Sequence, residues 1–279
     1  MLSNRSMRSL IRLLVAISAV SCLASESPRV VEPPASEPRT VTEPSLSNTA
    51  LAEGPAVVAS AGGSVARLRS LEVPGFEPAL LFTPEGHAPR PLVVAAHGAG
   101  GGPEWECDYW RRLTRERAFI LCLTGTPLGG SYSGYYYRDH RALDREFVAA
   151  ERAARSAEPR ILSESGLYAG FSQGATMGTA IINEHAKSFP YAVMIEGFMA
   201  WNVPSARRFL AAGGRRVVIA CGSKECAAKG KTSEQWLRAA GVPTRLEHAP
   251  GAGHTPAGPV MDRVEAALPW LLEGDANWQ

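Results

Sequence analysis

The chain has 279 residues, 45% of them apolar, with 29 Lys+Arg balanced by 27 Asp+Glu. Without Arg5, Arg8 and Arg12 of the leader the basic groups fall to 26 against 27 acidic ones. A chain so nearly neutral, with no Lys/Arg block, has no electrostatic reason to seek nucleic acid.

Residues 1–22 read as a bacterial export signal. The arginines give the positive start, and Leu13–Val20 is an apolar run too short to span a bilayer. Ser21-Cys22 resembles the processing site of a lipoprotein, with Cys22 the lipidated residue, although Ala19 stands where leucine is usual. The alternative is an ordinary secretory signal cut near Ser21 or Ala24. Residues 23–64 turn to Pro, Ser, Glu, Ala and Thr, with no hydrophobic period able to bury a face. They read as a disordered tether. Residues 65–279 are enough for one domain with a substantial core and too few for two. No second apolar stretch is long enough to cross a membrane, so contact with a bilayer is expected only through the N-terminal lipid.

The folded part begins its chemistry at Pro91–Ala96, a buried strand that runs into His97-Gly98-Ala99-Gly100-Gly101-Gly102. Glycines there let backbone N–H groups turn inward, with Ala99 or Gly100 as the donor. Ala118–Cys122 is a second strand. After it comes Thr124–Tyr137, a Gly-rich loop whose Tyr135 and Tyr136 are candidates either for lining a pocket or for packing the loop down. Arg141–Ala157 is an amphipathic helix carrying Leu143, Phe147 and Val148 on one side.

Gly166–Ala169 is an apolar strand leading into Gly170-Phe171-Ser172-Gln173-Gly174. A serine between a strand and a helix on so tight a turn has its hydroxyl pushed above the sheet, and glycines two residues before and after remove the clash. Gln173, the next residue, offers a second N–H donor. Val193–Ile195 ends in Glu196, and Pro204 opens a short helix that stops at Gly213-Gly214. Arg216–Cys221 is a strand followed by Gly222-Ser223-Lys224-Glu225, and Thr244–His248 precedes Gly251-Ala252-Gly253-His254-Thr255-Pro256. An imidazole titrates near neutrality and can take a serine proton and pass it on. His254, in a glycine loop before the last helix, is the candidate base. His97 belongs to the donor loop and is read as structural, as are His87, His140, His185 and His248.

Five cysteines become four if Cys22 is lipidated. Cys221 with Cys226, and Cys107 with Cys122, are candidate disulfides of an exported protein; buried free thiols are the alternative. No C-x₂-C spacing marks a metal site, and none is expected.

Taken in order, His97–Gly101, Gly170–Gly174, Gly222–Glu225 and Gly251–Pro256 resemble the motifs of an α/β-hydrolase of the esterase/lipase type. The elbow is similar to that of small carboxylesterases, acyl-protein thioesterases and dienelactone-hydrolase-like proteins. The resemblance implies an α/β fold with a mostly parallel central sheet, helices on both faces and no sizeable cap domain, as strand and helix alternation also suggests. It implies a serine hydrolase acting on carboxylic esters through Ser172, His254 and an acid, without a cofactor, on a small-molecule acyl substrate. Glu225 stands in the slot where the family carries aspartate, and Glu196, at the end of the preceding strand, is its competitor; Asp262 is assigned to the final helix. A thioesterase, a serine peptidase and a non-catalytic surface lipoprotein on the same fold are the alternative readings. The expected location is periplasmic or outer-surface as a lipoprotein, otherwise secreted.

Overall fold

A computed structural model describes residues 67–131, 133–197 and 201–279. The leader, Cys22 and the tether lie outside the described residues, as does Tyr132 in the tyrosine loop. Eight strands form one sheet: β1 (Arg67–Leu71), β2 (Ala79–Thr83), β3 (Leu92–Ala96), β4 (Phe119–Leu123), β7 (Leu167–Phe171), β8 (Tyr191–Ile195), β9 (Arg216–Cys221) and β10 (Thr244–His248). Their spatial order is β1-β2-β4-β3-β7-β8-β9-β10. β1–β2 and β2–β4 are antiparallel, and every later pairing is parallel. A two-stranded ribbon, β5 (Thr126–Pro127) with β6 (Tyr135–Tyr136), stands apart from the sheet.

Strands β3, β4 and β8 are buried at every position because both faces are covered. Along β3, Leu92, Val94 and Ala96 enter one core cluster while Val93 and Ala95 enter the other. This is the two-residue alternation of a strand buried on both sides. Helices α2 (His140–Ala157), α3 (Gln173–His185), α4 (Val203–Ala211) and α5 (Lys224–Ala239) supply Phe147, Ile182, Phe209 and Leu237 to the first cluster. Helices α1 (Pro103–Leu113) and α6 (Pro259–Leu271) supply Trp110, Val264 and Leu268 to the second. Each of α2 and α4 begins one residue before the start expected at Arg141 and Pro204, behind a cap: Asp139 accepts from the Ala142 N–H for α2, and Asn202 with Ser205 closes a capping box for α4. Among the described residues no cap domain interrupts this pattern.

Both cysteine pairs are bridged. Cys107–Cys122 ties α1 to β4, and Cys221–Cys226 ties the end of β9 to the first turn of α5. No helix among the described residues is long and apolar enough to cross a membrane.

One buried group is poorly compensated. Glu106 on α1 is buried, receives only the Trp110 indole N–H at 3.2 Å on Oε2, and leaves Oε1 without a partner among the described residues. Desolvation outweighs that bond and pushes its pKa from 4.5 to about 8. A carboxyl that is harder to ionise in the fold than in the unfolded chain favours folding below the unfolded value. That stability drains away as pH climbs toward the folded value and then levels off. At about 1.4 kcal/mol per tenfold change in proton affinity, the span is on the order of 4 kcal/mol. Between about pH 4.5 and pH 8.5, urea unfolding of Glu106→Gln should therefore gain on wild type by that order of free energy. A difference between the two proteins that does not change with pH would contradict the assignment.

Candidate active site

β7 runs into α3 through one residue, Ser172, at φ 50° and ψ −106°. That region is unfavourable for a residue with a side chain, costing roughly 1–3 kcal/mol, and it persists only where the surroundings enforce it. Here they do. The Ser172 N–H donates to the Ile195 carbonyl at 2.8 Å and the Gly174 N–H to the His97 carbonyl at 3.1 Å, so both neighbouring strands grip the turn. A Cβ at Gly174 would lie 2.1 Å from the Ala96 carbonyl oxygen, and one at Gly170 2.6 Å from the Ala175 nitrogen. Both glycines of the motif are required by close approach.

The turn aims Ser172 at the C-terminal loop. His254 Nε2 lies 2.8 Å from Ser172 Oγ, and His254 Nδ1 lies 3.1 Å from Glu196 Oε2. Residues 172, 196 and 254 thus form a continuous hydrogen-bonded series. The imidazole is half-exposed while the Glu196 side chain is fully buried. The geometry is that of a nucleophile, a base and an orienting carboxylate.

The carboxylate that lies beside His254 is Glu196 and not Glu225. Glu225 does not reach His254; it is exposed in the first turn of α5, where a negative charge suits the helix N-terminus. The reason is the length of the connection. β9 ends at Cys221 and α5 begins at Lys224, so only Gly222 and Ser223 separate them, and Glu225 is carried around the helix toward solvent. Glu196 follows β8 directly with φ 51°, and its N–H donates to Ala220 at 2.9 Å. This left-handed turn swings its side chain inward beneath His254. Asp262 sits in the first turn of α6, exposed, as expected of the final helix.

Four donors converge on the Glu196 carboxylate. Oε1 accepts from the Gly222 N–H in a very short contact and from the Ser223 N–H at 2.9 Å. Oε2 accepts from Ser223 Oγ at 2.7 Å as well as from His254. A buried carboxylate needs such compensation. Gly222 and Ser223 were not singled out in this role by the sequence; nothing in a two-residue strand–helix connection marks its amides as a carboxylate cradle.

On the opposite side of Ser172 lies the glycine loop. Gly100 does not offer a free donor, because its N–H donates to the Tyr135 carbonyl at 2.8 Å. The Tyr135 N–H in turn donates to Gly101 at 2.8 Å. Among the described residues, the Ala99 and Gln173 N–H groups have no acceptor. Tyr135 and Tyr136 are half-buried, and the backbone of Tyr135 clips the loop rather than standing clear of it. The Gln173 side chain completes the clip by accepting from the Tyr137 N–H at 2.7 Å. His97 is buried within the same layer, its ring nitrogens 2.7 Å from the Gly98 carbonyl and 2.8 Å from the Thr124 carbonyl. Glu146 holds the Thr124 and Gly125 N–H groups at 2.9 and 2.8 Å. His97 therefore shapes the loop, and its ring nitrogens meet the Gly98 and Thr124 carbonyls rather than Ser172.

An aromatic series flanks His254. The Phe171 ring lies 5.3 Å from the His254 ring and 5.7 Å from Trp105 on α1. Glu196, Cys221 and Cys226 lie close enough to suggest a metal-binding group, but the two sulfurs are bonded to each other.

The sheet order, the strand-to-helix elbow and the C-terminal histidine loop define the α/β-hydrolase fold. Solved structures share it. TT1662 from Thermus thermophilus superposes with a TM-score of 0.56 at 21% identity, over 75% of this chain and 99% of that one. A dienelactone hydrolase-like promiscuous phosphotriesterase, P91, from metagenomic libraries gives 0.54 at 19% identity, over 71% and 86%. The esterase PE8 gives 0.52 at 18% identity, over 73% and 100%. No family model matches the sequence, and no curated protein matches it.

Replacing either carboxylate by its amide separates the two acid assignments. Glu196→Gln should slow reaction of Ser172 with a fluorophosphonate by about 10⁴-fold, the scale seen when a triad acid loses its charge. Glu225→Gln should leave the rate within about two-fold, since it changes one exposed charge. The reverse pattern would return the acid role to Glu225.

Proposed function

We propose that the chain is a serine hydrolase that cleaves carboxylic esters. The observation that carries this reading is the series Ser172 Oγ–His254 Nε2 at 2.8 Å and His254 Nδ1–Glu196 Oε2 at 3.1 Å. In the reaction, Ser172 Oγ attacks the ester carbonyl while His254 Nε2 takes its proton. The imidazolium that forms keeps its Nδ1–H on Glu196, whose charge stabilises it. The carbonyl oxygen becomes an oxyanion between the Gln173 and Ala99 N–H groups, each such donor lowering the barrier by about 2.7–4 kcal/mol. Collapse of the intermediate expels the alcohol, which leaves with the proton from His254. An acyl-serine remains. Water then gives a proton to His254 and attacks the acyl carbon; collapse releases the acid and returns the proton to Ser172.

Fold likeness to an esterase supports this reading at the level of scaffold, and the fold alone does not choose among acyl groups. The same relay would serve a thioester or a peptide. Two disulfides favour an oxidising compartment, which fits export of the chain by its leader and a lipid anchor at Cys22.

A fluorophosphonate probe should label the wild-type protein and fail to label Ser172→Ala. Matched acyl esters, thioesters and anilides should then rank with the ester turned over fastest. Labelling that persists in Ser172→Ala removes the mechanism. A ranking led by the thioester or the anilide keeps the triad and replaces the substrate class. No labelling of the wild type would leave the fold as a binding scaffold.

A further inference from the structure

The connection between β9 and α5 is bridged across itself. Cys221, the last residue of β9, and Cys226, in the first turn of α5, enclose only four residues, and two of these bind Glu196. A bridge this short adds less to global stability than a longer one, because the chain-entropy benefit of a disulfide grows with the loop that it closes. Cys107–Cys122, with a separation of 15, is the larger contributor of the two by that argument.

The bridged turn touches Glu196 and the loop that carries His254. Ser223 Oγ donates to Glu196 Oε2 at 2.7 Å and accepts from the Cys226 N–H at 3.3 Å, so a bridged residue orients the hydroxyl. The Cys221 carbonyl accepts from Ala249 N–H at 2.8 Å, at the root of the loop that carries His254. A Cβ on Gly222 would meet the Gly253 carbonyl oxygen at 2.5 Å and Ala252 Cβ at 3.0 Å. The turn is thus pressed against the residues just before His254 while its amides hold Glu196.

We propose that Ser223 and the Cys221–Cys226 disulfide are a positioning device for the acid. They set the distance between Glu196 and His254 and act on turnover through that pair. The proposal rests on the reading of Glu196 as the triad acid. The slot where the family resemblance places the acid itself instead supplies the donors that hold an acid from the neighbouring strand. Both sulfurs are buried, so the bridge serves as a fixed brace.

The test compares Ser223→Ala, Ser223→Thr, the Cys221→Ala/Cys226→Ala pair and the Cys107→Ala/Cys122→Ala pair, each assayed well below its own melting temperature. Ser223→Ala should lower kcat roughly ten-fold or more with KM nearly unchanged, since it removes one hydrogen bond to a buried charge. Ser223→Thr, which keeps the hydroxyl, should restore most of the loss. The Cys221/Cys226 pair should lose kcat on the order of ten-fold or more by misplacing the carboxylate. The Cys107/Cys122 pair should melt earlier yet keep kcat within about two-fold, the lost bridge being spent on the unfolded state. Unchanged kcat in the Cys221/Cys226 pair, or equal losses from both pairs, overturns the proposal. Where the Cys221/Cys226 pair does not fold, unchanged kcat in Ser223→Ala overturns it alone. Glu196→Gln run alongside separates the cases: an unaffected Glu196→Gln defeats the acid assignment itself, whereas an inactive Glu196→Gln with silent Ser223 and cysteine variants defeats only the device.

Discussion

A carboxylate taken wholly out of water must be surrounded by donors, and this requirement at Glu196 organises one end of the molecule. The group is buried, accepts from Gly222, Ser223 and His254, and sits on a left-handed turn. None of those donors is near it in sequence. Parallel pairing of β7, β8 and β9 brings them together, because each strand ends at the same edge of the sheet and hands its next residue to the site. β7 hands over Ser172, β8 Glu196, and β9 the Gly222–Ser223 turn. Ligands in such sheets bind beyond the carboxyl ends of the strands for the same reason.

The other side of Ser172 is built on a different set of bonds with a similar logic. Glu146 fixes Thr124, Thr124 fixes His97, and His97 fixes Gly98, so a buried acid on α2 reaches the glycine loop through two intermediaries. Tyr135 clips the loop from outside and Gln173 clips Tyr137 in turn. The serine thus stands between two rigid walls, one presenting N–H groups and the other an imidazole. Preorganised donors cost no rearrangement when charge develops, which is how such walls lower a barrier.

The sequence made the fold legible wherever burial leaves a simple pattern. The run Leu92–Ala96 and the run Val193–Ile195 are apolar throughout because the sheet is covered on both faces, and Gly170 and Gly174 are small because backbone passes within van der Waals distance of them. Ser172 was legible for the same reason, in a motif with a steric explanation, whereas His254 was marked by its place in a glycine loop ahead of the last helix. The acid was not. Choosing between Glu225 and Glu196 turned on where α5 begins and on the sign of one backbone angle, and neither leaves a periodic mark. The slot in which the family resemblance sets Glu225 lies on a loop only if the helix starts later; here the chain folds Lys224 into the helix. Tyr135 and Tyr136 were ambiguous because aromatic residues on a glycine loop serve equally as lining or as packing, and the backbone of Tyr135 is what the loop uses. Glu106 drew no attention in sequence, since a glutamate in a helix is ordinarily solvated.

The contact between His254 Nδ1 and Glu196 can be observed directly by the proton it shares. A far-downfield proton NMR signal, the mark of an imidazole N–H held by a carboxylate, should be present in the wild type and in Glu225→Gln and should vanish in Glu196→Gln. A signal that survives in Glu196→Gln and disappears in Glu225→Gln would contradict the account.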